Sequence, residues 1–183
     1  TMEAGVRGLK NRLDTLCRAA AVKIVRGGHQ TVSVEPADLR GMLETAPIRH
    51  DHILEVKNPG IVTGLAWTQA GGEILFIETL FTRGSGKMTV TGQLGDVMKE
   101  SAMIAVSLVK SMFPDKESLF EENDLHIHVP AGAVPKDGPS AGITLTTALA
   151  SLVTGRAVSP EFAMTGEVSL RGVVMPIGGL PEK

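Results

Sequence analysis

Near the start of the chain, Val6, Leu9, Leu13, Leu16, Ala20 and Ile24 recur three or four residues apart, and Gly27 with Gly28 supplies a stop. This spacing predicts one long helix ending at the glycine pair. A short extended piece over 31–34 follows. Glu35, Pro36, Ala37 and Asp38 then read as a helix start with proline in its first turn, running to about 45. These pieces form a small helical unit, too short to bury a core alone, so it must lean on other surface. From about 56 the texture changes. Ile61, Val62, Leu65, Ala66 and Trp67, then an apolar run over 74–81, flank Gly71 and Gly72, which predicts a β-hairpin. A strand over 87–90 and a helix over 96–113 come next, the helix turning Val97, Ile104, Leu108 and Met112 inward. Met88, Met98, Met103 and Met112 are expected to fill core, and the charged stretch over 114–124 to be a solvated loop. Strict alternation from Leu125 to Val129 predicts a strand. A small-residue helix over 141–153 and short strands over 162–165 and 173–175 complete the chain. The fold class is α+β, a helical lead-in followed by a mixed domain. There is no internal repeat and no low-complexity tract.

Composition narrows the classes. The chain has 183 residues, 43% apolar and 21% charged, with Lys and Arg at 18 against Asp and Glu at 20. Such a chain affords a packed core, and the balance of −2 gives no footing for wrapping a nucleic acid. One cysteine, Cys17, excludes a disulfide framework and suits a reducing compartment; it is expected to sit as a small core residue on the inner face of the first helix. No apolar run reaches the roughly 18 residues of a membrane span, and no signal-peptide pattern opens the chain, so a soluble cytoplasmic protein without membrane partners is expected. The helical rhythm already under way at Thr1, and the end at Lys183 just after a glycine-rich turn, read as a piece of something longer.

The densest chemical signal runs from Pro135 through Lys136, Asp137, Gly138, Pro139, Ser140 and Ala141 to Gly142. A serine at a helix start stands beside backbone N–H groups and the positive end of the helix dipole, a setting for a developing oxyanion. The plain alternative is an N-cap. Gly138, Ser140 and Gly142 also fit the G-x-S-x-G nucleophile elbow, but His29, His50, His52, His126 and His128 all precede the serine, against that fold's chain order. A triad of Ser140 with His126 or His128 and Asp124 or Asp137 stays open, because triads are defined by geometry. The other candidate base is Lys183, the single lysine after Ser140. A lysine base must be desolvated to bring its pKa down from about 10.4, and Met175, Pro176, Ile177 and Leu180 are apolar neighbours for it. Thr165 is a candidate hydroxyl to hold the neutral amine. His126 and His128 share one strand face at a zinc-compatible spacing, but with no third ligand in view satisfied polar packing is the expectation and no metal site is assigned.

The serine motif with Ile143, then Ala163 to Glu167 (AMTGE), Leu170 to Gly172 (LRG), Pro176 to Leu180 (PIGGL), and Glu182 with Lys183 resembles the bacterial Lon protease family, the ATP-dependent proteases La. So do Gly64 to Thr68 (GLAWT), Gly86 with Lys87, Thr91 to Gly95 (TGQLG), Val97, Met98, Glu100, Ser101 and Asp124 to Pro130 (DLHIHVP). Glu3 to Arg7 (EAGVR), Leu9 and Leu16 to Arg18 (LCR) resemble the late part of that family's small AAA+ subdomain. The resemblance implies residues 1–50 as the end of the AAA+ small subdomain and 51–183 as a Lon proteolytic domain. It implies Ser140 as nucleophile and Lys183 as general base of a Ser-Lys dyad, with Thr165 bonding the lysine and Asp137 affecting dyad assembly from the serine loop. Arg7 matches the family's sensor-2 arginine, which reaches bound nucleotide. The implied function is ATP-dependent serine endopeptidase action on unfolded or damaged proteins by a homo-hexamer.

The chain departs from that pattern in three ways. The family continues past the dyad lysine, so the packing that neutralises Lys183 is expected to be missing, with the terminal carboxylate favouring the ammonium. Met2 stands where the family commonly has arginine. No P-loop is present: Gly86 and Lys87 are followed by Met88, with Phe81 at the first glycine position, so ATP and Mg2+ are expected to serve the parent and not these residues alone. The alternative expectation is an inactive module serving ring assembly.

Overall fold

The computed structural model describes residues 5–28, 30–44, 57–68, 71–130 and 134–183. His29, His50, His52, Met2 and the ends of the predicted segments around 45–56 lie outside them. The chain divides into two compact units, Thr1–His52 and Ile53–Lys183.

In the first unit, helix α1 (Arg7–Gly27) ends where Gly28 adopts the left-handed conformation (φ 67°) and its N–H bonds the Ile24 carbonyl, a turn that glycine makes without a Cβ clash. The 31–35 stretch joins no sheet. A 3₁₀ turn (Pro36–Asp38), whose Asp38 side chain accepts the Glu35 N–H at 3.0 Å in a capping box, leads into α2 (Leu39–Leu43). Among the described residues of this unit, Met42 is the only buried apolar side chain, whereas Val6, Leu9, Leu13, Val22 and Val25 are exposed. Cys17 is exposed as well, contrary to its expected core position. The face of α1 turned toward α2 is that of Thr15, Arg18, Ala19 and Val22, and Cys17 falls off that stripe.

In the second unit a five-stranded sheet runs in the order β3-β4-β2-β1-β5. Its strands are β1 (Ile61–Thr68), β2 (Gly71–Arg83), β3 (Met88–Thr91), β4 (Asn123–His128) and β5 (Ala163–Met164). The hairpin forms as its glycines predict, with Thr68 opposite Gly71 and Trp67 opposite Gly72. Helices α3 (Asp96–Met112) and α5 (Gly142–Thr154) pack on one face of the sheet, around Val62, Ile77, Leu125, Ile127, Leu145 and Leu149. The buried stripe of α3 is Met98, Ser101, Ala102, Ala105, Leu108 and Val109. Val97 and Met112 are exposed, as are Met88 and Met103. Ser101, Ala102 and Ala105 share the inner face with Met98, Leu108 and Val109, where α5 packs against α3.

The 114–123 stretch is a second correction. It forms a 3₁₀ turn (Pro114–Lys116) and helix α4 (Glu117–Glu122), because Phe120 is buried edge-on against Phe81 at 5.2 Å. Asp124, expected in a solvated loop, accepts the N–H groups of Ser85 and Lys87, both at 2.9 Å, and these bonds hold its carboxyl below the usual 3.8. A two-stranded sheet, β6 (Glu167–Val168) with β7 (Val174–Met175), closes the chain; β6 has no alternation long enough to read from sequence.

Candidate active site

Ser140 lies in a 3₁₀ turn (Pro139–Ala141) at the head of α5. Gly138 takes φ 126° ahead of it, and Pro139 occupies the first helical position. The cap reading of Ser140 does not hold: α5 begins after Ala141 and neither turn carries a side-chain cap bond. The serine's hydroxyl is therefore not committed to closing the helix end.

The Thr165–Val168 segment is drawn against this turn by reciprocal backbone bonds. Gly166 N–H donates to the Ser140 carbonyl at 2.7 Å, and Ile143 N–H donates to the Gly166 carbonyl at 3.0 Å. The Thr165 hydroxyl gives the Ser140 carbonyl a second bond at 3.3 Å. Gly142 makes the approach possible, since a Cβ there would stand 2.8 Å from the Val168 nitrogen. Thr165 is itself placed by β5, which pairs in parallel with β1 through Thr63–Ala163 and Gly64–Met164.

Lys183 meets the same point. Its Nζ donates to Thr165 Oγ1 at 2.9 Å, and its backbone N–H closes a turn on the Leu180 carbonyl at 3.3 Å. Thr165 spends its one proton on Ser140, so its oxygen faces the amine as acceptor only. The amine is half-buried, and burial holds its pKa below the usual 10.5. Desolvation by the surrounding residues sets that direction.

Asp137 fastens the serine loop from outside. Its Oδ1 accepts the Met98 N–H in the first turn of α3 and the Gly138 N–H, both at 2.9 Å. Gly95 N–H to the Lys136 carbonyl (2.7 Å) and Lys136 N–H to the Gln93 carbonyl (3.1 Å) zip the same loop to the segment before α3. Lys136 is a second lysine whose pKa burial lowers, opposed by Glu73, but its ammonium donates to the Gly92 and Val134 carbonyls at 3.3 and 3.1 Å. Its place is structural.

The histidine alternative is drawn elsewhere. His126 Nε2 and His128 Nδ1 both close on Thr91 Oγ1, at 2.9 and 2.7 Å, so that hydroxyl donates to one ring and accepts from the other. Asp124 is held by the Ser85–Lys87 loop and Asp137 by α3. Among the described residues no three His, Cys, Asp or Glu side chains gather as a metal site, and no helix is long and apolar enough to cross a membrane. Arg7 is exposed at the first position of α1, in the other unit. Sequence reasoning gave Gly142 and Gly166 no role; their packing depends on what crosses them in space, which no spacing records.

Comparison with known proteins bears on the chemistry directly. The profile of the Lon protease (S16) C-terminal proteolytic domain matches residues 33–183, and that of the Lon protease AAA+ ATPase lid domain matches 1–32. The profiles meet earlier than the two compact units do, because 36–43 packs with α1. The Lon protease of Clostridium beijerinckii is 57% identical over 184 residues, covering 100% of this chain and 23% of that protein. Those of Methanosarcina barkeri and Phenylobacterium zucineum are 55% and 51% identical over 186 residues each, again across 100% of this chain and 23% and 24% of theirs. The chain thus spans about a quarter of the length of these relatives. With the proteolytic-domain profile covering most of its length and identity above one half throughout, the chain belongs to the Lon protease family.

Proposed function

We propose that this chain carries the peptide-cleaving centre of an ATP-dependent serine endopeptidase, with Ser140 as nucleophile and Lys183 as general base. The observation that carries the reading is the relay from Lys183 Nζ through Thr165 Oγ1 to the Ser140 carbonyl, at 2.9 and 3.3 Å. Thr165 takes one N–H of the amine and leaves the amine's lone pair for another proton. Desolvation favours the neutral amine that a base requires. In the reaction the Ser140 hydroxyl attacks a peptide carbonyl while Lys183 takes its proton. The acyl-enzyme forms as the amine product leaves with that proton, and water then releases the carboxylate product. The N–H groups of Gly142 and Ile143 already serve Pro139 and Gly166, so oxyanion stabilisation falls to other donors of the serine turn.

The substrates of the complete protein are unfolded or damaged proteins, and its assembly is a homo-hexamer. ATP and Mg2+ act at a nucleotide site supplied outside this segment, toward which Arg7 reaches as the lid's sensor residue. Asp137 governs the reach of the serine loop through its hold on α3. The test is cleavage of a fluorogenic peptide by the complete natural polypeptide with ATP, beside its Ser140→Ala variant. Loss of at least about a thousandfold in kcat is expected, since removing a nucleophile leaves only binding and electrostatic effects. Equal cleavage by both proteins would assign the chemistry to another nucleophile.

A further inference from the structure

Lys183 is placed against the β1–β2 hairpin, and we propose that Gly72 is a positioning residue for the dyad lysine, its missing side chain leaving the space in which the Glu182–Lys183 backbone lies. The inference rests on the Ser140–Lys183 reading above. A Cβ at Gly72 would stand 2.5 Å from the Glu182 carbonyl oxygen and 3.4 Å from both Lys183 Cα and the Lys183 carbonyl oxygen. All three obstacles are backbone atoms, so no side-chain rotation relieves the overlap.

Its neighbour Gly71 is glycine for a different reason. Gly71 has φ +126°, a conformation side chains rarely adopt, and a Cβ on it would meet nothing within 4 Å. Gly72 lies outside that left-handed range. Gly71 serves the hairpin's own turn, whereas Gly72 serves what crosses over it. A glycine pair read from sequence as a turn therefore divides into one residue for folding and one for the site.

Pairing decides which side yields when a methyl is added. The 71–72 end of β2 is held in register by β1, through Thr68–Gly71 and Trp67–Gly72, and the same strand continues through six more pairs with β1 and six with β4. Among the described residues, the turn carrying Lys183 is held by a backbone bond at 3.3 Å and by the lysine's own bond to Thr165. The weaker body moves. Restoring van der Waals distance from 2.5 Å takes a shift of roughly 1 Å, and misplacement of that size costs on the order of 10- to 100-fold in rate. The shift also returns the amine to water and removes the burial that favours its neutral form. The ionisable groups flanking this contact are Glu182 in the same turn and Glu73 beside Gly72, and Glu73 acts on Lys136.

The experiment is steady-state cleavage of a fluorogenic peptide across a pH series by the complete natural polypeptide with ATP. Wild type, Gly72→Ala, Gly71→Ala and Lys183→Ala are compared, with ATP hydrolysis and thermal unfolding followed on each. For Gly72→Ala, kcat should fall at least about tenfold at neutral pH with KM within about twofold, and part of the loss should return at alkaline pH. Its melting temperature should stay near wild type. Gly71→Ala should lower the melting temperature without moving the pH profile. A wild-type kcat and pH profile in Gly72→Ala, with Lys183→Ala inactive, would overturn this inference and leave the dyad standing. So would a Gly72→Ala loss that tracks a fallen melting temperature and ignores pH. Retained cleavage in Lys183→Ala would overturn the dyad reading and this inference together.

Discussion

At the scale of a single residue, Lys183 as the proposed base would couple catalysis to stability through one proton. Its native pKa lies below the 10.5 of a free lysine, because burial disfavours the ammonium. Between that lowered value and 10.5 the unfolded chain binds more protons than the native one, so stability rises with pH across this window and is lower at neutral pH. On the proposed reading activity should follow the same direction, since a lysine base works only when deprotonated. Lys183→Met removes the charge and keeps the stem, so it should abolish cleavage and raise the melting temperature at pH 7, the gain narrowing as the pH approaches 10.5. Calorimetry at several pH values measures this, and a variant no more stable than wild type at pH 7 would contradict it. From the residues alone Ser140 and Lys183 were only candidates, and it was the family resemblance that paired them; the structure brings both to Thr165. The direction of the lysine's pKa was not legible in sequence. It depends on packing around the amine that no spacing in the sequence records.

At the scale of elements, the site rests on the close packing of two helices. Helices α3 and α5 pack closely, and Ala102 and Ala105 on the inner face of α3 are all but fully buried. The first turn of α3 in turn holds Asp137 through Met98, so the distance between the helices bears on the serine loop. Ala105→Leu should therefore cost about 1–3 kcal/mol by overpacking a filled interface, read from urea unfolding. Peptidase activity should fall further than unfolding accounts for, because α3 can yield only by moving the Asp137 anchor. An unchanged urea midpoint would show that the interface has room. Strands β1, β2 and β4 and the long helices were legible because their apolar periodicity is long. The inward face of α3 was misread at Val97 and Met112 for a physical reason: a search for large apolar side chains overlooks a stripe of Ala and Ser that allows contact by being small. Helix α4 was missed because its one buried anchor, Phe120, sits among charges.

At the scale of the whole molecule, the two units differ in what holds them together. The second has a sheet covered by helices and a continuous interior from Val62 to Val153. In the first, α1 buries none of its residues and Met42 is the only buried apolar side chain described, while apolar residues along α1 face outward. Among the described residues, helix α1 packs only against the short 36–43 segment and buries none of its own residues, so little tertiary packing supports it. The first unit should accordingly open on its own, below the global unfolding free energy of the second. Hydrogen exchange on residues 1–183 across a urea series separates the two. Amides of α1 should exchange through a local opening that urea hardly affects, while those of Ile77, Ile127 and Leu145 exchange only with global unfolding, because all three are fully buried. Merging of α1 with the sheet amides into one isotherm would show that the units fold as one body. If α1 opens first, the outward apolar residues need a neighbour to hold them, and adding the remainder of the complete polypeptide should slow α1 exchange while leaving the Ile127 amide unchanged. That pairing of outcomes ties the exposed stripe to an absent surface and not to a weak helix, since an intrinsically weak helix would exchange at the same rate in both.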